Sequence, residues 1–267
     1  MSDVTGSIQD YEKSIELYEK LIASQPDSVE LRTAFADTLI NLANTYYFND
    51  QINEVYPPLR KALTDLETLR RQHPNNTEIG RLLGKGYVIL GTTYLWDNKQ
   101  SEGEVEIARA LEINESLVAK NPNDNVLKQG LWNAYIQGSQ FYQESDSSKA
   151  FQYLLQALAI AQKSVESDRV NTQGRQNLAK TYSMLGVISV RLKKLSEAVS
   201  FLEKSLAQFA ELEKSEPRNL TYKDDIGRNL NELGLAKHRQ NDLVGSLAAY
   251  ERSVDVFETQ STDPKNF

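Results

Sequence analysis

Two kinds of amphipathic stretch alternate along the chain, and they do so five times in phase. In the first kind, Leu39, Tyr87, Tyr135, Tyr182 or Leu230 is followed three positions on by Leu42, Leu90, Gly138, Leu185 or Leu233. The next residue is small every time: Ala43, Gly91, Ser139, Gly186, Gly234. Spacings of three and four mark one face of an α-helix, and a small residue on that face lets a second helix come close. This stretch is helix A. The second kind repeats Val55/Leu59/Ala62/Leu63, Gly103/Ile107/Ala110/Leu111, Ala150/Leu154/Ala157/Leu158, Ala198/Leu202/Ser205/Leu206 and Ser246/Tyr250/Ser253/Val254. Its i, i+4, i+7, i+8 pattern is again one helical face, here helix B. Polar turns such as WDNKQSE, QESDSS and RQNDLVG separate the two.

Seams between the pairs fall at Pro26, Pro74, Pro122, Pro217 and Pro264, with Arg169 in the equivalent place, at steps of 47 or 48 residues. Proline cannot continue a helix, and Asn beside it (HPNN, NPND, EPRN) suits a turn. The pattern predicts repeats over 26–73, 74–121, 122–168, 169–216 and 217–263. A B helix over 5–25, carrying Ser7, Tyr11, Ser14 and Ile15 on the template, precedes them, and a sixth repeat opens over 264–267. Repeats of this length stack each on its neighbours as a solenoid, so the predicted fold is an all-α solenoid of about eleven antiparallel helices in a single repeat domain. Ends that stop in mid-repeat are expected of a segment from a longer array. The alternative is a whole small protein that self-associates through its uncapped end helices.

Two places break the pattern. Pro57 and Pro58 sit in the first turns of the first full B helix and predict a late start, near Pro58, because a residue before proline avoids the α region. Gly80, Gly84, Gly86 and Gly91 crowd the second A helix. Each costs about 1 kcal/mol against Ala, so this helix is expected to be the softest unless close packing needs the glycines.

The fifth repeat, LNELGLAKHRQNDLVGSLAAYERSV, resembles the tetratricopeptide repeat: aromatic or Leu, then Leu-Gly, a polar turn, a small residue, Tyr and another small residue. The resemblance covers nearly the whole chain. Family repeats run about 34 residues; the extra length is about two turns per helix. It is similar to the long-helix variety met in large bacterial signalling proteins, including arrays attached to Ser/Thr kinases. The resemblance implies a right-handed superhelix whose concave groove is lined by A-helix residues flanking the buried stripe. In the first repeat those positions carry Asp37, Ile40, Asn44, Tyr47 and Phe48, and in the second Lys85, Val88, Thr92, Leu95 and Trp96. The third has Asn133, Ile136, Gln140, Gln143 and Glu144; the fourth Lys180, Ser183, Val187, Val190 and Arg191; the fifth Arg228, Asn231, Leu235, His238 and Arg239.

From that set the expected partner-binding residues are Tyr47, Phe48, Lys85, Leu95, Trp96, Gln140, Lys180, Arg191, Arg228, Asn231, His238 and Arg239. The first half is aromatic and apolar. The last half is basic, with no acid among its mapped positions, and so is expected to meet an acidic part of a partner. The resemblance implies a non-catalytic protein-interaction scaffold that holds a peptide; the alternative is the regulatory or sensor segment of a signalling protein such as a Ser/Thr kinase. Of the family's clamp for a C-terminal carboxylate only Asn44 is in place, so that specificity is not expected.

Charge and composition narrow the choice. A net charge of −7, with 30 basic residues spread among 37 acidic ones, provides no global footprint for nucleic acid or anionic membrane. No apolar window approaches the roughly 18 residues that span a bilayer. MSDVTGSIQD does not read as a secretory signal, and a cytoplasmic location is expected. There are no cysteines. GRLLGKG, from Gly80 to Gly86, lacks one residue of the phosphate-loop spacing and lies inside a helix, which favours packing over nucleotide binding. His73 and His238 have no second ligand at metal spacing. No nucleophile, base and orienting group converge, so no catalytic residue, metal or cofactor is expected, and the chain is read as a non-enzyme. Trp132 reads as a packing residue; Trp96 is divided between packing and binding.

Overall fold

A computed structural model describes residues 2–168 and 170–261; the seams at Arg169 and Pro264, and the sixth repeat over 264–267, lie outside the described residues. Within them there are eleven α-helices and no strand. They are α1 (Ser2–Ser24), α2 (Val29–Phe48), α3 (Ile52–Gln72), α4 (Thr77–Trp96), α5 (Gln100–Lys120), α6 (Asn125–Tyr142), α7 (Ser147–Ser167), α8 (Thr172–Arg191), α9 (Leu195–Ser215), α10 (Leu220–Arg239) and α11 (Leu243–Ser261). The even-numbered helices are the A helices; the odd-numbered ones are B.

Each A helix is started by one side chain at one place in the repeat. Ser28, Asn76, Asp124, Asn171 and Asn219 accept from the backbone N–H of Leu31, Ile79, Leu127, Gly174 and Thr221. The residue two after the seam is thus the N-cap of the next helix, where an orphan donor needs a partner. Four A helices also stop alike. Asp50, Asn98, Lys193 and Asn241 take positive φ, between 57° and 64°. Their N–H groups, and those of the residues after them, bond back to the last turn: Asp50 to Tyr47 O and Gln51 to Tyr46 O, with the same pairs at the other three ends. These are Schellman closures made with residues other than glycine.

The small position works as the pattern requires. A Cβ on Gly91, Gly186 or Gly234 would stand 2.8, 2.5 or 2.7 Å from Ile107, Leu202 or Tyr250, which hold one place in the B helices α5, α9 and α11. Further along the same pairs, Gly84 meets Asn114 and Gly227 meets Phe257. As one partner's number rises the other's falls, so A and B run antiparallel. Gly80 and Gly86 abut Leu117 and Leu63 as well. The four glycines of α4 are therefore consumed by close packing, and the reading of α4 as a phosphate loop has no open space to use.

Pro57 and Pro58 do not delay α3. The helix begins at Ile52 and carries both prolines inside it. Val55 and Leu59 are fully buried and Tyr56 donates to Asp97, so tertiary contacts hold the first turns in helical form. The carbonyls that lose a donor belong to Asn53 and Glu54, both exposed to water.

The chain divides into two compact units, Met1–Gly138 and Ser139–Phe267, with the boundary inside α6. In the N-terminal unit α2 packs on α3 and α4 on α5, and the A helices α2 and α4 also touch. Tyr87 donates to Glu67 of the preceding B helix, and Tyr135 to Glu115 at 2.6 Å. In the C-terminal unit α8 packs on α9 and α10 on α11, while α9 seats α10 through Phe209, Leu212 and Tyr222. There Tyr182 accepts from Gln162 at 3.3 Å, the same bridge with an amide in place of the carboxylate.

Candidate functional site

On the N-terminal unit the mapped positions split by depth. Ile40, Val88 and Ile136 are buried, with Ile40 at 0% exposure, and they pack in the core instead of lining a groove. Thr92 is buried too and turns its hydroxyl onto Val88 O and Ile89 O of its own helix. The reason is the contact between neighbouring A helices: one row of each helix faces the next one in line and cannot face solvent as well. Lys85 is half-buried and spans that contact, donating to Asp37 Oδ1 at 3.1 Å and Asn41 Oδ1 at 2.6 Å. It ties α4 to α2 and is engaged within the fold.

Tyr47, Phe48, Leu95 and Trp96 stand at the ends of α2 and α4. Trp96 is 61% exposed and Phe48 74%. The indole Nε1 of Trp96 donates to Tyr47 OH at 3.0 Å, and Tyr47 meets Phe48 edge-on at 5.5 Å between ring centroids. Trp132, by contrast, is buried. The bridge from Trp96 to Tyr47 joins equivalent ends of two A helices, so the three rings are held in one place before anything binds. A cleft of about 470 Å³ also lies among α1, α2 and α3, beside the ion pair of Arg32 with Asp65. It is lined mainly by B-helix residues and belongs to a different face.

The C-terminal unit brings Lys180, Arg191, Arg228, Asn231, His238 and Arg239 to the surface of α8 and α10, all exposed. Val190 is buried, packed with Ala198 and Leu202 of α9, Leu233 and Ala236 of α10 and Ala249 of α11. Gln140 is exposed beside a small open cavity of about 190 Å³ whose walls include Gln143, Leu154, Met184 and Val187.

The basic half contains acids that the mapped positions passed over. Burial pushes the Asp225 carboxyl up, against the opposing pull of Lys180 and Arg228. Burial likewise raises Glu232, against Arg191 and Arg239. Arg191 also donates to Glu144 at 2.6 Å, and that hydrogen bond holds Glu144 below the usual carboxylate range. Each of the four guanidinium or ammonium groups therefore has a carboxylate nearby. No acid stands among the mapped positions of these two repeats, which are residues flanking the stripe; Asp225 and Glu232 lie off those positions and beside their cations.

Among the described residues no three His, Asp or Glu side chains are grouped as metal ligands would be, and no helix is long and apolar enough to cross a membrane.

Residues 179–208, the end of α8 and most of α9, match the family model described as tetratricopeptide repeat. The contact of Gly186 with Leu202 lies inside that segment. Among solved structures, BtubC (BKLC) from P. vanneervenii is similar over 97% of this chain and 93% of its own, with 18% identity and a TM-score of 0.69. Aspartyl phosphate phosphatase F from Bacillus subtilis is similar over 98% of this chain and 65% of its own, at 17% identity and a TM-score of 0.57. The apo form of RapI follows over 94% and 92%, at 15% identity and a TM-score of 0.51. At such identities the likeness is one of fold. No curated protein sequence matches the chain.

Proposed function

We propose that this tetratricopeptide-repeat chain is a non-catalytic scaffold that binds a peptide segment of a protein partner on the exposed faces of its A helices. The observation that carries the reading is the pre-positioned, water-exposed set of Tyr47, Phe48 and Trp96, fixed by a hydrogen bond between two repeats. Rigid aromatic anchors of this kind account for most of the binding energy at protein interfaces. Exposed Arg228 and Arg239 on the C-terminal unit supply charged donors for carboxylates of a partner. The protein-interaction reading is consistent with the family to which residues 179–208 are similar.

The test compares peptides retained from a random library by the full chain and by Arg228→Gln/Arg239→Gln. The substituted chain is expected to keep its helicity, lose acidic peptides and show a flatter salt dependence. Equal retention of acidic peptides would remove the basic surface from the site. Equal retention of every peptide by a Trp96→Ala/Phe48→Ala chain would remove the aromatic anchors, and the reading with them.

A further inference from the structure

We infer that the aromatic corner of the N-terminal unit is a receptor for a cationic side chain, the arginine or lysine of a partner peptide. The inference rests on the reading of the A-helix faces as peptide-binding and names the chemistry that one part of them accepts.

Aromatic rings attract cations through the negative potential over their faces, and this chain supplies its own cations to other rings. Lys149 lies 3.8 Å from the ring centre of Tyr142, Lys194 4.5 Å from that of Phe151 and Lys61 4.9 Å from that of Phe35. Among the described residues no lysine or arginine is placed over Tyr47, Phe48 or Trp96. Lys85 is bound to Asp37 and Asn41 at 3.1 and 2.6 Å, eleven residues and thus about three helical turns before Trp96. Lys99 is turned to Asp97 at 3.0 Å and to the rings of Tyr56 and Tyr94.

The backbone adds to the asymmetry. α2 and α4 both end at this corner, and the C-terminal end of a helix carries negative partial charge that favours cations. Neither helix has a basic residue in its last turn. On the C-terminal unit α8 and α10 end with basic residues, Arg191 on the first and Lys237, His238 and Arg239 on the second; α6 has none in its last turn, but its terminal Tyr142 is covered by Lys149 at 3.8 Å. Exposed Asp50, two residues past Phe48, increases the negative potential. Two exposed aromatic rings, two uncompensated helix ends and no resident cation together define an acceptor for positive charge.

The experiment uses the full chain and three pentapeptides of equal length, one rich in arginine, one in glutamate and one uncharged and leucine-containing. Binding is read at low ionic strength from tryptophan emission; buried Trp132 is shielded, so a change reports on Trp96. The arginine peptide is expected to bind at least about fivefold more tightly than either other peptide. Trp96→Leu, whose binding is read by titration calorimetry because the substitution removes the reporting indole, and separately Phe48→Leu, are each expected to remove most of that advantage while circular dichroism stays unchanged. Arginine-peptide affinity that survives both substitutions would reduce the effect to the general attraction of an acidic chain and overturn the inference. If only the uncharged or the glutamate peptide shifts the emission, the cation assignment falls while the peptide-binding reading stands. If no peptide shifts it, both fall.

Discussion

Asn76, Asn171 and Asn219 each stand two residues beyond a seam, and each cancels an unpaired N–H at the start of the helix that follows. Removing the acceptor leaves that donor to water. Asn76→Ala is expected to destabilise the chain by about 1 kcal/mol, read as a lower midpoint in urea unfolding with an unchanged slope. The opposite end of the helix offers the opposite experiment. Lys193 holds φ of 59° at the end of α8, in the left-handed region where a Cβ is unfavourable. Asp50, Asn98 and Asn241 tolerate that region better than lysine does, because a short polar side chain can bond locally. Lys193→Gly is therefore expected to raise stability by roughly 0.5–1 kcal/mol, the strain relieved outweighing the extra freedom of the unfolded chain. A fall in the unfolding midpoint would show that the lysine side chain contributes more than its backbone costs.

At the scale of the helix, intrinsic propensity and packing point in opposite directions, and magnitudes decide between them. Gly186→Ala gains about 1 kcal/mol of helix propensity, yet its Cβ would stand 2.5 Å from Leu202 Cγ, inside the α8–α9 seam. Overpacking of this kind costs about 1–3 kcal/mol, so a net loss is expected. A Gly186→Ala/Leu202→Ala chain should be less destabilised than the sum of its single substitutions, and strict additivity would mean that the two residues do not press on each other. Pro57 presents the reverse case. It is exposed within α3 and leaves Asn53 O without its helical donor. Pro57→Ala restores that bond and is expected to stabilise the chain by roughly 1–2 kcal/mol once the looser unfolded chain is allowed for. The helix pairs, their antiparallel sense and the role of the small residue were legible because each recurs in phase with the hydrophobic stripe. The fate of Pro57 was not, since it depends on Val55, Leu59 and the bond from Tyr56 to Asp97, which local preference does not contain. Ile40, Val88 and Val190 were misplaced for a related reason. Flanking positions look alike in sequence, whether they meet water or the neighbouring A helix. The exposed aromatic corner was half legible: the residue types stood out, but only coordinates join Trp96 to Tyr47.

The molecule as a whole is acidic, with a net charge of −7, but the groups that set its pH response in the C-terminal unit are local. Asp225 Oδ2 and Asn229 Oδ1 are both buried acceptors without a donor, one helical turn apart on α10. Burial raises the Asp225 carboxyl above its ordinary value, and Lys180 and Arg228 only partly oppose this. For a carboxyl raised in the folded state, the stabilising contribution is complete below the unfolded pKa and disappears as the pH climbs through the folded one. Near neutrality Asp225 is thus a liability that acidification relieves, because the protonated acid carries no charge to desolvate and gains an O–H to donate. Glu232, raised by burial beside Arg191 and Arg239, acts in the same sense. Asp225→Asn supplies a neutral donor at every pH. It is expected to stabilise the chain by about 1 kcal/mol at pH 7, the worth of a hydrogen bond added to a buried acceptor. That advantage should shrink to nothing as the pH is lowered to about 4, where the wild-type carboxyl carries its own proton. Thermal unfolding of both chains across that range reads the difference directly. A gap that stays constant with pH would mean that Asp225 is already neutral, or already paired, at pH 7.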